Sequence, residues 1–68
     1  MQLSARNQLQ GRVVDLRTDG RVAEVTIELA GGRRLVSVIT RAGADALALR
    51  EGDTVAAVIE STDIMVAK

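Results

Sequence analysis

The 68 residues allow one domain, 1–68, and only a modest core, because a chain of this size buries roughly 60% of the surface it exposes when unfolded. No Cys or His is present, which excludes a disulfide framework and the usual zinc sites and leaves oligomerisation as the expected staple for so small a fold. Nine basic residues cancel nine acidic ones and Phe, Trp and Tyr are absent, so a nucleic-acid partner lacks both the positive field and the stacking platforms it needs.

The chain opens with LSARNQLQGRVV, in which Ser4, Arg6 and Asn7 stand at the mouth of an apolar, β-leaning run. Such a cluster is either a satisfied edge of the fold or a site for something negative. MQLSARNQ has no apolar h-region, and no apolar run is long enough to span a bilayer. A cytoplasmic protein with no membrane partner is therefore expected.

QLQGRVVDLR reads as a long first strand, with Gly11 expected to relieve a bend or bulge. TDG at 18–20 marks a turn. In RVAEVTIELA the residues Ala23, Val25, Ile27 and Leu29 alternate with Glu24, Thr26 and Glu28, the period of a half-buried strand. Gly31 and Gly32 then supply positive backbone angles, so 21–30 and 33–40 are expected to pair as an antiparallel hairpin.

TRAGADALALR breaks the β pattern. Thr40 is a fitting N-cap, Ala and Leu are strong helix formers, and Asp45 lies near the first turns, where the helix dipole favours a negative charge. EGD at 51–53 is another reversal, followed by TVAAVIE and DIMVAK as the last strands. The expectation is an all-β fold with one short helix: an OB-like five-stranded barrel. Met65 is expected to pack in the core or at an interface, and Asp63 to cap a turn.

Catalysis has little to work with. There is no His or Cys to serve as base or nucleophile, and the one lysine is Lys68, so no enzyme activity is expected. The Gly31-Gly32 doublet lacks the Lys-Ser/Thr of a phosphate loop and reads as a turn. Anion binding fits better: a serine hydroxyl, an arginine fork, an asparagine amide and backbone N–H groups all donate toward oxygen. A solvated edge, or an Arg paired with a carboxylate, explains the same cluster equally well.

The residues also carry a resemblance. LSARNQLQGRVV, VAEVTIELAGG, LVSVIT and LALREGDTVAAVIESTDIMVAK, in that order and over essentially the whole chain, resemble the molbindins, small molybdate-binding proteins of the Mop family, whose domain is of the TOBE type. The resemblance implies an OB-like barrel that assembles as a homohexamer, a trimer of dimers, with itself as macromolecular partner. It implies cytoplasmic molybdate or tungstate held at subunit interfaces for storage or homeostasis, with no organic cofactor and no direct side-chain coordination of the metal. In the family the oxyanion meets the segment that is here Ser4, Ala5 and Arg6, and a Lys-Ser pair of which Ser61 is present here; Asn7, next in this chain, is expected to add a backbone or positioning contact. A neighbouring subunit contributes from the segment entering the helix, where Thr40 stands.

One departure from the pattern bears directly on the site. EST replaces the family's Lys-Ser-Thr, so Glu60 occupies the place of a cation that would face the dianion. A carboxylate about 4 Å from one unit of ligand charge costs roughly 1 kcal/mol in water-like surroundings and about 4 kcal/mol at an effective dielectric near 20. Three outcomes are open: Glu60 turns outward or is protonated; it pairs with Arg6 or another arginine; or an arginine such as Arg33, Arg34 or Arg41 replaces the lysine. Gly43 offers only its N–H near the helix start. The alternative function is an assembly module of the same fold whose oxyanion site is weakened or lost through Glu60.

Overall fold

The structure, a computed structural model, describes residues 6–68. Four strands, β1 (Arg6–Asp19), β2 (Val22–Leu29), β3 (Arg34–Thr40) and β4 (Thr54–Glu60), form one antiparallel sheet in the order β3-β2-β1-β4. A single short helix, α1 (Arg41–Ala46), connects β3 to β4. The sheet curls until its two edges, β3 and β4, face each other across an open cleft of about 400 Å³. The result is a half-barrel.

Two long-range ladders share β1. Its first half pairs with β4, from Arg6↔Glu60 to Arg12↔Thr54, and its second half pairs with β2, from Gly11↔Leu29 to Asp19↔Val22. Gly11 stands where both ladders meet. A Cβ there would lie 2.5 Å from Ile27 Cγ2 and 2.7 Å from the Glu28 carbonyl oxygen, so the glycine permits a close approach of the two backbones. The bulge expected at Gly11 instead falls between Val13 and Asp15. Its consequence is a change of phase: Val13 and Leu16, three apart, both face the core, while Asp15 turns out to meet Arg17 at 2.9 Å. A regular strand would have driven Asp15 inward.

The core is small, as the length requires. Val13, Ala23, Val25, Ile27 and Ala44 are buried, and Leu16, Leu29, Ile39, Leu49, Val55 and Ala57 pack partly against them. The β1–β2 hairpin turns through two residues, with Gly20 at φ +60° in the first central position. The expected β2–β3 hairpin is present, and Gly31 and Gly32, at φ +86° and +84°, make its turn.

The helix starts as the sequence suggests and stops in an unexpected way. Thr40 Oγ1 accepts the Gly43 N–H at 3.0 Å, and this occupies the N–H that the sequence left available to an anion. At the other end Leu49 N–H donates to the Ala44 carbonyl and Ala48 N–H to that of Asp45, a Schellman closure with Ala48, not glycine, at φ +50°.

The fifth strand is absent among the described residues. After β4 a single 3-10 turn, η2 (Ser61–Asp63), carries the chain away from the sheet, and Ile64–Lys68 joins no ladder. Met65 and Val66 are each 93% exposed, so Met65 does not pack in this chain's core. The described residues give this segment no strand partner: β1 is paired on both sides only at Gly11 and Arg12, and neither its one-sided stretches nor the edge strands β3 and β4 take up residues 64–68. Asp63 is the last residue of this turn, whose start has no side-chain cap, so the expected capping role is not seen among the described contacts.

Candidate functional site

The polar residues from the sequence fall at two places, which the strand register separates. At one end of the sheet, the first residue of β1 faces the last residue of β4: Arg6 and Glu60 are directly opposite across the ladder. Arg6 Nε donates to Glu60 Oε1 at 2.7 Å. This is the second of the three outcomes open for Glu60. The guanidinium is well exposed and the carboxylate less so, with side-chain exposures of 68% and 35%. The other carboxylate oxygen, Oε2, is shielded from solvent and has no donor among the described residues. An unsatisfied, shielded carboxylate oxygen is costly and calls for a donor from outside the chain as described.

Asn7, the next residue on β1, steadies this end by donating from Nδ2 to the Ile59 carbonyl at 3.4 Å. Ser61 follows Glu60 directly and opens η2, so the turn sets its backbone beside the ion pair. Ser4 and Ala5 lie outside the described residues.

Thr40 sits at the opposite end. It pairs with Val22, which pairs in turn with Asp19 at the far end of β1, so the whole 14-residue length of β1 runs between Thr40 and the Arg6–Glu60 pair. Its surroundings are a shallow depression lined by Gly20, Arg21, Arg41 and Asp45. One chain therefore does not bring Thr40 to Arg6. Arg21 beside it was not singled out in the sequence, although the expected 21–30/33–40 pairing already put it at the same end as Thr40; Arg41 N–H donates to the Arg21 carbonyl at 2.7 Å.

The replacement arginines divide. Arg34 is engaged with Glu28 at 3.3 Å, Arg33 is exposed at the β2–β3 turn, and Arg41 belongs to the Thr40 end. None stands beside Glu60 within the described residues. Nor do these residues gather three or more His, Cys, Asp or Glu side chains that could hold a metal ion. What the Arg6 end can do is recognise an anion by hydrogen bonds from a fixed guanidinium, provided that Glu60 yields.

Comparison with known proteins gives this arrangement its context. The TOBE domain profile matches residues 3–66. Molybdenum-pterin-binding protein 1 of Clostridium pasteurianum is 46% identical over 66 residues, covering 97% of each chain. The chain belongs to the TOBE-domain family, among its Mop molbindins. The fold agrees with that of solved Mop structures. MopII from Clostridium pasteurianum superposes with a TM-score of 0.90 at 42% identity, over 98% of this chain and 100% of that one. A molybdate-binding protein from Sporomusa ovata superposes with a TM-score of 0.89 at 31% identity over 100% of both. Every candidate residue of this TOBE domain, from Ser4 to Ser61, lies inside the matched stretch.

Proposed function

We propose that this chain binds molybdate, or the isosteric tungstate, in the cytoplasm and serves its storage or homeostasis, with a binding role and no catalytic one. The observation that carries the reading is full-length similarity in both sequence and fold to proteins named for binding molybdenum-pterin and molybdate. Ser4, Ala5, Arg6 and Asn7 form one wall of the site, with Ser61 beside them. Thr40, flanked by Arg41, comes from a second copy, because the register holds it at the far end of its own sheet. Arg6 donates directly to the oxyanion, Ser4, Ser61 and Thr40 through hydroxyls, and Ala5 and Asn7 through backbone or positioning contacts.

The assembly is a homohexamer, a trimer of dimers. Two features support it: the small core, and the apolar side chains left uncovered on one chain, among them Val36, Val38, Val58, Met65 and Val66. Light scattering of the purified protein should report six copies, whereas a stable folded monomer at micromolar concentration would remove the interface site. Calorimetric titration of that oligomer with molybdate, with sulfate as competitor, should show tight, sulfate-resistant uptake. A second reading has its own observation: the Arg6–Glu60 pair occupies the cation the anion needs. In that reading the fold serves assembly alone, and the same titration shows no heat and no molybdenum retained by direct assay.

A further inference from the structure

We propose that a second copy docks on the outer faces of the edge strands, β3 of one copy packed parallel to β4 of the other with Val38 on Val58. The inference rests on the oxyanion reading above and adds to it the surface that brings Thr40 of one copy to Arg6 of the other. Its ground is the alternation of the two strands. Their even-numbered residues are the outward ones: Arg34, Val36, Val38 and Thr40 are exposed on β3, and Thr54, Ala56 and Val58 on β4, with Glu60 next in phase. Val36, Val38 and Val58 are 62%, 65% and 54% exposed, so three branched apolar side chains stand in water where the edge strands of a lone chain usually carry charge.

Each strip reads polar, apolar, apolar, polar, and the two match when laid parallel. Strands return a residue to the same face at every second position, so with Val38 on Val58, Val36 falls on Ala56 and Thr40 on Glu60. Polar neighbours flank the apolar centre: Glu24 lies beside Val38 and Gln8 beside Val58 in the ladders. A two-fold pair makes this contact twice, because β3 and β4 run antiparallel to each other within one chain.

The same alignment completes the polar end. Arg6 spends its Nε on Glu60 and is well exposed, so the rest of its guanidinium fork can reach an anion. Thr40 Oγ1 accepts the Gly43 N–H and, as a hydroxyl, retains a hydrogen to donate. Arg41, next in the chain, forms no ion pair among the described residues. An oxyanion seated there lies between Arg6 of one copy and Thr40 and Arg41 of the other, with two cations set against the one carboxylate of Glu60. The antiparallel alternative puts Val36 on Val58 and Arg34 on Glu60, two charges that are already paired within the chain. It also sends Thr40 to Thr54, at the other end of the β1–β4 ladder from Arg6.

The test is light scattering and titration with sodium molybdate, applied to the full chain and to charge variants of the two strips. Val38→Lys should lower the assembled mass and weaken molybdate binding more than about tenfold, with the far-UV circular dichroism of the parent retained. Adding Val58→Glu to Val38→Lys should restore both, whereas adding it to Val36→Lys should not. Val38→Thr keeps the branched shape that strands favour and should weaken both less; it decides the matter should the lysine variant not fold. A Val38→Lys or Val38→Thr protein that assembles and binds like the parent would overturn the inference. So would rescue of Val36→Lys by Val58→Glu in place of rescue of Val38→Lys, and in either case molybdate binding by the parent leaves the oxyanion reading intact. Rescue of assembly in the Val38→Lys/Val58→Glu protein, with no molybdate bound by it or by the parent, would overturn the oxyanion reading itself and leave the surface standing.

Discussion

The two ends of the sheet use their polar groups differently. At the Thr40 end the hydroxyl caps α1, and the helix closes on itself through the carbonyls of Ala44 and Asp45. At the Arg6 end one ion pair bridges β1 and β4, and one carboxylate oxygen is left without a donor among the described residues. Folding accounts for the first set of groups. The second is incompletely satisfied by the chain's own described atoms, which is the condition expected of a surface that awaits a ligand or another copy.

Gly11 joins the two ends, and its replacement should have the largest effect. A methyl at Gly11 meets backbone as well as Ile27, so Gly11→Ala should destabilise the fold by about 3 kcal/mol or more, read by urea unfolding. A loss under about 0.5 kcal/mol, the scale of a bland surface change, would show that β1 and β2 separate readily at this point.

Glu60→Lys sharpens the contrast next. It removes the competitor for Arg6 and supplies a second cation, so affinity for molybdate at neutral pH should rise at least about tenfold in a titration. Unchanged affinity would mean that position 60 does not face the anion.

Thr40→Ala should cost about 1 kcal/mol of stability through loss of the cap, and Thr40→Ser should restore most of it. If the alanine variant were as stable as the parent, the cap would contribute nothing and the hydroxyl would be free for other work. The smallest effect belongs to Ala48, whose left-handed backbone favours glycine. Ala48→Gly should raise stability by about 0.5 kcal/mol, visible as a higher thermal midpoint, and a lower midpoint would show that the alanine is unstrained.

What was legible in the sequence was local. The alternation of Ala23, Val25, Ile27 and Leu29, the paired glycines of the β2–β3 turn and the Thr40 cap each act over a few residues, and each was found where expected. What was not legible depends on partners distant in the chain. The Arg6–Glu60 pair spans 54 positions, and only the β1–β4 register selects it from the three outcomes open for Glu60. The bulge lies at Val14 and not at Gly11 because Val13 and Leu16 both demand the core, a competition visible only once β2 is opposite them. DIMVAK has the alternation of a strand but pairs with none of β1 to β4, and its pattern could not reveal that a single chain leaves it unpaired.

The central claim is that the oxyanion sits against Arg6 at the end of β1, next to Glu60. It is tested most directly by crystals of the protein grown with molybdate and an anomalous difference map at the molybdenum edge. The account predicts a peak with its oxygens within hydrogen-bonding distance of Arg6 and of Thr40 from a neighbouring copy. A peak remote from Arg6, or none in crystals that assay positive for protein and negative for molybdenum, would contradict it.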